Sequence, residues 1–207
     1  MFTAWDAALF RAIHLGFHHA ALDPIMMALT DPGRWKIPIL LLTAACFLAR
    51  GARGALALVV LVATLAATDQ LSSKVIKPIV KRPRPSVALA DSHPLFGVRR
   101  SYSFPSTHAV NFTAAIPMMG TVFPRAGAPY AVLASLVCLS RIYVGDHYPS
   151  DVMAGAILGL CLGWLGRKAF LRLGETLARR RARRGGTPAA PVSPRAESSA
   201  GGPSVSP

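Results

Sequence analysis

The stretch SRIYVGDHYPSDVMAGAILGLCLGWL, Ser140 to Leu165, places an arginine, a histidine and two aspartates directly before an uncharged apolar run from Val152 to Leu165. Within the run, Gly155, Gly159 and Gly163 recur every four residues, so they share one helix face and leave a bare ridge for a neighbouring helix to approach. The expected element is a membrane helix that packs through its glycines and carries ionisable groups at its polar end. The glycine ridge is packing; the chemistry lies in the polar residues.

Five more apolar runs lie upstream, near Ala7–Thr30, Ile39–Leu48, Ala55–Ala67, Ala109–Phe123 and Tyr130–Leu139. Several fall short of the roughly 20 residues that span a bilayer, so their polar flanks must share the crossing. Trp35, Lys36 and Arg50 can snorkel around the second run, and Arg50, Gly51, Arg53 and Gly54 make a tight turn into the third. Arg11, His14, His18, His19 and Asp23 interrupt the first run and Pro24 breaks it, the pattern of an interfacial helix followed by a half-span. The fold class expected is all-α: an integral membrane helical bundle with about six transmembrane helices.

The bulk composition agrees. The chain has 207 residues, 52% of them hydrophobic, too apolar for an ordinary soluble domain and long enough for about one domain. Its net charge of +14 could indicate nucleic acid, but the cations sit at the ends of apolar runs and in the C-terminal tail, so nucleic-acid binding is excluded and anionic membrane lipids are the expected partners. Cys46, Cys138 and Cys161 lie within apolar runs at a spacing that fits neither a disulfide framework nor a metal site, which leaves them as small helix-packing residues. The start MFTAWDAALF has an acid and no basic segment before its apolar stretch, so no cleaved signal peptide is expected. Residues 1–174 are read as the membrane-embedded domain, and residues 175–207 as a basic then disordered C-terminal tail, because a Pro, Ser, Gly and Ala sequence cannot bury enough apolar surface to order itself.

Three segments carry chemistry: KPIVKRPRP (Lys77–Pro85), SFPSTHA (Ser103–Ala109) and SRIYVGDHYPSD (Ser140–Asp151). His147 and Asp151, four apart at the start of a helix that Pro149 can open, can meet on one face. A carboxylate on one imidazole nitrogen would free the other to attack phosphorus; a helix cap and a zinc pair are the alternative readings, the latter without further clustered ligands. Lys77, Arg84 and Arg141 offer three positive charges to a phosphate, with Pro78, Pro83 and Pro85 forbidding a continuous helix and aiming Lys77 and Arg84 inward. Lys81 and Arg82 are expected to be solvated or lipid-facing neighbours. Ser106 and Thr107 open the fourth run, where unpaired N–H groups meet an anion; Ser106 caps the helix, binds phosphate, or does both. His108 is either a leaving-group acid or a structural histidine.

Taken together, Lys-x6-Arg-Pro (Lys77, Arg84, Pro85), Pro-Ser-Thr-His (Pro105 to His108) and Ser-Arg-x5-His-x3-Asp (Ser140, Arg141, His147, Asp151) resemble the three-part signature of the type 2 phosphatidic acid phosphatase superfamily. The resemblance implies that His147 is the nucleophile and forms a phosphohistidine, that Asp151 orients it, and that His108 protonates the leaving group. Lys77, Arg84, Ser106, Thr107 and Arg141 would hold phosphate, with no metal and no cofactor. Thr107 stands where the family most often has glycine, which bears on head-group fit. The implied substrate is a lipid phosphate or diphosphate. The short chain resembles bacterial undecaprenyl diphosphate phosphatases, which implies an isoprenoid diphosphate first; phosphatidylglycerophosphate, phosphatidic acid, a lipid A phosphate and non-catalytic lipid-phosphate binding are the alternatives.

If each run crosses once, all three segments emerge on one side of the membrane. Eight Lys and Arg residues between Arg167 and Arg184 hold the C-terminal side in the cytoplasm, so the site is expected to face outward from a bacterial inner membrane.

Overall fold

A computed structural model describes residues 4–185, except for the side chains at positions 32–36, 38, 39, 42, 184 and 185. Trp35 and Lys36, the expected flanking anchors, therefore lie outside the described side chains, and the tail from residue 186 lies outside the described residues. Every regular element among the described residues is helical: α1 (Ala4–His14), α2 (Asp23–Thr30), α3 (Pro32–Leu48), α4 (Gly51–Gln70), a π-helical turn (Leu71–Ile76), α5 (Lys77–Val80), α6 (Pro85–Ala88), α7 (Thr107–Val122), α8 (Pro124–Tyr143) and α9 (Pro149–Gly185). The first run divides as its polar residues require, into α1 and α2. Gly51, with φ of 64°, makes the turn between α3 and α4.

Helix α7 is the centre of the bundle, packed on α4, α8 and α9. The glycine ridge explains its contact with α9: a Cβ on Gly155 would meet the backbone of Ser106, one on Gly159 the carbonyl of Val110, and one on Gly163 the carbonyl of Ala114. Close backbones also let the Thr113 hydroxyl donate across to the Ala156 carbonyl at 3.1 Å. Small residues, among them Ala57, Ala109, Ala114 and Ala134, are buried at the helix contacts beside the rings of Phe10, Phe47 and Phe170, while many large apolar side chains point outward, Val59 being 64% and Ile157 61% exposed. Small contact residues and apolar outer faces suit a lipid solvent, in which helices associate through small residues. Helices within Gly51–Ala88, Pro124–Tyr143 and Pro149–Arg183 are long and apolar enough to cross a membrane. Helices α3 and α7, at 17 and 16 residues, are shorter.

Several expectations are corrected. Pro78 does not end its helix: the π-helical turn before it shifts the hydrogen-bond register, and the chain stays helical to Val80. The stop is Lys81, in the left-handed region with φ of 52°, followed by Pro83. Cys46 and Cys161 are exposed on the outer face, not packed between helices; Cys138 alone is partly buried, against the cluster of Phe10, Ala109, Ile142, Tyr148 and Val152. The basic segment after Glu175 continues α9 to Gly185.

The loop between α6 and α7 is tied down over the bundle. His14, fully buried, donates from Nδ1 to the Tyr143 carbonyl at 2.6 Å and accepts the His93 N–H on Nε2 at 3.1 Å. Leu95 N–H donates to the Val144 carbonyl at 3.1 Å. These bonds bring the sequences before α7 and between α8 and α9 to one end of the molecule.

Candidate active site

The third segment turns sharply at Gly145, whose φ of 83° and close contact with His14 and Pro94 suit a residue without a side chain. The turn directs His147 into the bundle, where it is 2% exposed. Arg84, held by the Ser101 carbonyl (3.0 Å) and the Asp146 carbonyl (2.9 Å), points Nη1 at His147 Nε2 from 3.2 Å. A guanidinium has only protons to give, so Nε2 is the unprotonated nitrogen and the ring proton sits on Nδ1. Burial pushes the His147 pKa well below its ordinary value, assisted by the charges of Arg84, Arg141, Lys77 and His108. The ring is thus neutral, with its lone pair on the arginine side.

On the other side of the ring, Nδ1 lies 3.7 Å from Asp151 Oδ2, beyond hydrogen-bond length, and 3.4 Å from Ser103 Oγ. The Ser103 hydroxyl donates to Asp151 Oδ2, which also accepts the Tyr148 N–H at 2.9 Å. Ser103 therefore mediates between carboxylate and imidazole, a role that the three-part pattern does not assign.

The remaining expected residues converge on the same place. Ser106 precedes α7 and its N–H donates to the Asp151 carbonyl at 3.0 Å; its hydroxyl makes no cap and is buried without a hydrogen-bond partner. Thr107 Oγ1 receives the Ser72 hydroxyl at 3.4 Å, so the side chain that replaces the usual glycine faces the π-helical turn. The first N–H groups of α7 have no carbonyl a turn earlier to bond. His108 bonds the Thr30 backbone at the end of α2, and Arg141 donates to the Thr30 hydroxyl, so one residue anchors both. Lys77 Nζ donates to the carbonyls of Tyr102 (2.9 Å), Ser103 (3.3 Å) and Pro105 (2.9 Å), and so clamps the loop that leads to Ser106.

Two acids and one arginine escaped the sequence reading. Asp146 is 1% exposed and gathers Arg141, Arg99 (3.4 Å) and Arg84 (3.7 Å). Arg82 is neither solvated nor lipid-facing: it is 1% exposed, with Asp151 and Asp6 each 2.5 Å from its guanidinium. Solvation of a guanidinium is replaced here by two carboxylates and the Tyr148 ring, 3.9 Å away. Among the described residues, no group of three or more His, Cys, Asp or Glu side chains is placed to hold a metal ion.

What these groups fit is an anion with several oxygens, gripped by guanidinium groups, a free hydroxyl and a helix N-terminus, with a lone pair aimed at its centre. A site of that kind belongs to proteins that handle phosphoryl groups. A family model described as the PAP2 superfamily matches residues 54–175, more than half of the chain, and the chain belongs to that superfamily. It is 42% identical over 93 residues to a decaprenylphosphoryl-5-phosphoribose phosphatase of Mycobacterium tuberculosis, covering 42% of this chain and 48% of that protein. The chain thus spans about half the length of that relative. It is 29% identical to the undecaprenyl-diphosphatase BcrC of Bacillus subtilis over 82% of this chain and 84% of that one. A crystal structure of a transmembrane PAP2 type phosphatidylglycerolphosphate phosphatase from Bacillus subtilis superposes with a TM-score of 0.63 at 27% identity, covering 82% of this chain and 86% of that one.

Proposed function

We propose that the protein is an integral membrane lipid phosphatase that hydrolyses a polyprenyl diphosphate through a phosphohistidine at His147. The observation that carries this reading is the unprotonated Nε2 of a buried His147 facing Arg84 at 3.2 Å. In the first step the Nε2 lone pair forms the P–N bond to the terminal phosphorus, the bridging P–O bond breaks, and His108, which takes up a proton as the anionic substrate binds beside it, gives that proton to the departing oxygen. Arg84, Arg141 and Lys77, the Ser106 hydroxyl and the first N–H groups of α7, that of Thr107 included, offset the charge on the equatorial oxygens. In the second step water attacks phosphorus, His108 takes its proton, the P–N bond breaks and inorganic phosphate leaves. Asp151 faces the Nδ1 proton and supports the positive charge that the ring acquires.

The diphosphate is favoured by the likeness to the undecaprenyl-diphosphatase, which extends over 82% of this chain, and the prenyl tail by both named prenyl-lipid relatives. In this reading the five runs from Ile39 onward cross, while the first run returns to the side it started from, since Asp6 at its start and Thr30 at its end both bond residues of the site; the site faces outward from the inner membrane, and the embedded domain ends near residue 174.

The test is phosphate release by purified protein from undecaprenyl diphosphate, phosphatidylglycerophosphate, phosphatidic acid and a lipid A phosphate. The expected result is preference for undecaprenyl diphosphate and a loss of about 10⁴-fold or more in His147→Ala. Full release by His147→Ala overturns the mechanism, and preference for another lipid overturns the substrate.

A further inference from the structure

Behind Asp151, on the side away from the phosphate cradle, lies a buried set of charges that the proposed chemistry does not use. Arg82 Nη1 donates to Asp151 Oδ1 at 2.5 Å and to Ser150 Oγ at 2.7 Å, while Nη2 donates to Asp6 Oδ2 at 2.5 Å. Asp6, in the first turn of α1 and 1% exposed, also accepts the Ser150 N–H at 3.0 Å and the Ser150 hydroxyl at 2.5 Å. Three segments far apart in sequence thus meet in a row of carboxylate, guanidinium and carboxylate that ends at His147. Such a row is a poor device for stability, since desolvating three charges costs as much as their attraction returns. Its net charge is negative, and the nearest group that becomes positive during phosphoryl transfer is the imidazole.

Resting on the phosphatase reading above, we propose that Asp6 and Arg82 are positioning residues that hold Asp151 in place and set the charge it presents to His147. With Oδ1 bound to Arg82, Asp151 keeps Oδ2 toward Ser103 and the Nδ1 edge of the ring. Asp6 offsets the charge of Arg82, so that Asp151 keeps its negative charge toward the Nδ1 edge, 3.7 Å away and bridged by Ser103, as the ring turns cationic. Neither side chain enters the cradle. The other charged groups acting on His147 are Lys77 from α5, Arg84 before α6, His108 from α7, Arg141 from α8 and Asp146 beside it, with Arg99 paired to Asp146. All are retained when Asp6 or Arg82 is changed.

The experiment measures kcat and KM against pH for full-length protein in detergent, with undecaprenyl diphosphate as the probe, in the parent, Asp6→Asn, Arg82→Gln and the double variant. Each single change is expected to lower kcat by about 10- to 100-fold with KM unmoved, as for other groups that orient a working histidine. The acid limb of kcat/KM moves to lower pH in Asp6→Asn, where a negative charge is lost, and to higher pH in Arg82→Gln, where a positive one is lost. In the double variant the limb returns toward the parent position while kcat stays low. A purely structural role would lower the active fraction and leave the limb in place; that result, or parent kcat in either single variant, overturns the proposal. If a single variant does not fold, Asp6→Glu and Arg82→Lys keep the charges but displace them, and parent kcat in both overturns it equally. Activity in the parent that is lost in His147→Ala secures the phosphatase reading separately, and an inactive parent removes both.

Discussion

At His147, burial and four surrounding cationic or titratable groups favour the neutral ring. The sign of the linkage follows: the folded pKa lies below the unfolded value of about 6.5, so between the two only the unfolded chain binds the proton, and stability falls as pH drops through that window. The thermal midpoint of the parent should therefore fall more steeply from pH 7 to pH 5 than that of His147→Gln; parallel profiles would mean that His147 is not held neutral. The legibility of these residues from sequence divides along a physical line. That Lys77, Arg84, Ser106, Arg141 and His147 meet at one end of the bundle was expected, because each lies in a polar segment at the end of an apolar run. Ser103, Asp146 and the pair of Asp6 with Arg82 were not, because a lone serine or acid has no periodicity, and only the folded chain brings Asp6 beside a residue 76 positions away.

The α7–α9 contact carries the site, since Ser106 and Asp151 sit on its polar end and share a hydrogen bond. Gly159 is the test of that contact. An added Cβ would meet the Val110 carbonyl, which cannot move aside, so Gly159→Ala should destabilise the protein by about 1–3 kcal/mol. Gly174→Ala, in the same helix with open space around it, should be neutral or stabilise by up to about 1 kcal/mol. Thermal unfolding of the two variants in one detergent makes the comparison, and equal midpoints would refute close packing at Gly159. The four-residue glycine spacing was legible as this ridge. The helix through Pro78 was not, because a π-helical turn leaves no mark in hydrophobic period and proline alone argues for a break.

For the whole molecule, apolar runs and their charged ends were enough to reach an all-helical membrane bundle, because burial in lipid demands long apolar helices that satisfy their own backbone. Orientation rests on the arginines of α9, which should hold that end in the cytoplasm and leave the loop before α7 outside. In a cysteine-free background, Val98→Cys should react with a membrane-impermeant thiol reagent in intact cells, and Arg180→Cys only after lysis. The opposite pattern would invert the molecule.

The central claim is that an imidazole carries the phosphoryl group. Rapid acid-free quenching during turnover of undecaprenyl diphosphate labelled in its terminal phosphate, followed by peptide mass spectrometry, should find a base-stable, acid-labile phosphoryl group on His147. Turnover with no such adduct, or with the adduct on another residue, would contradict the account.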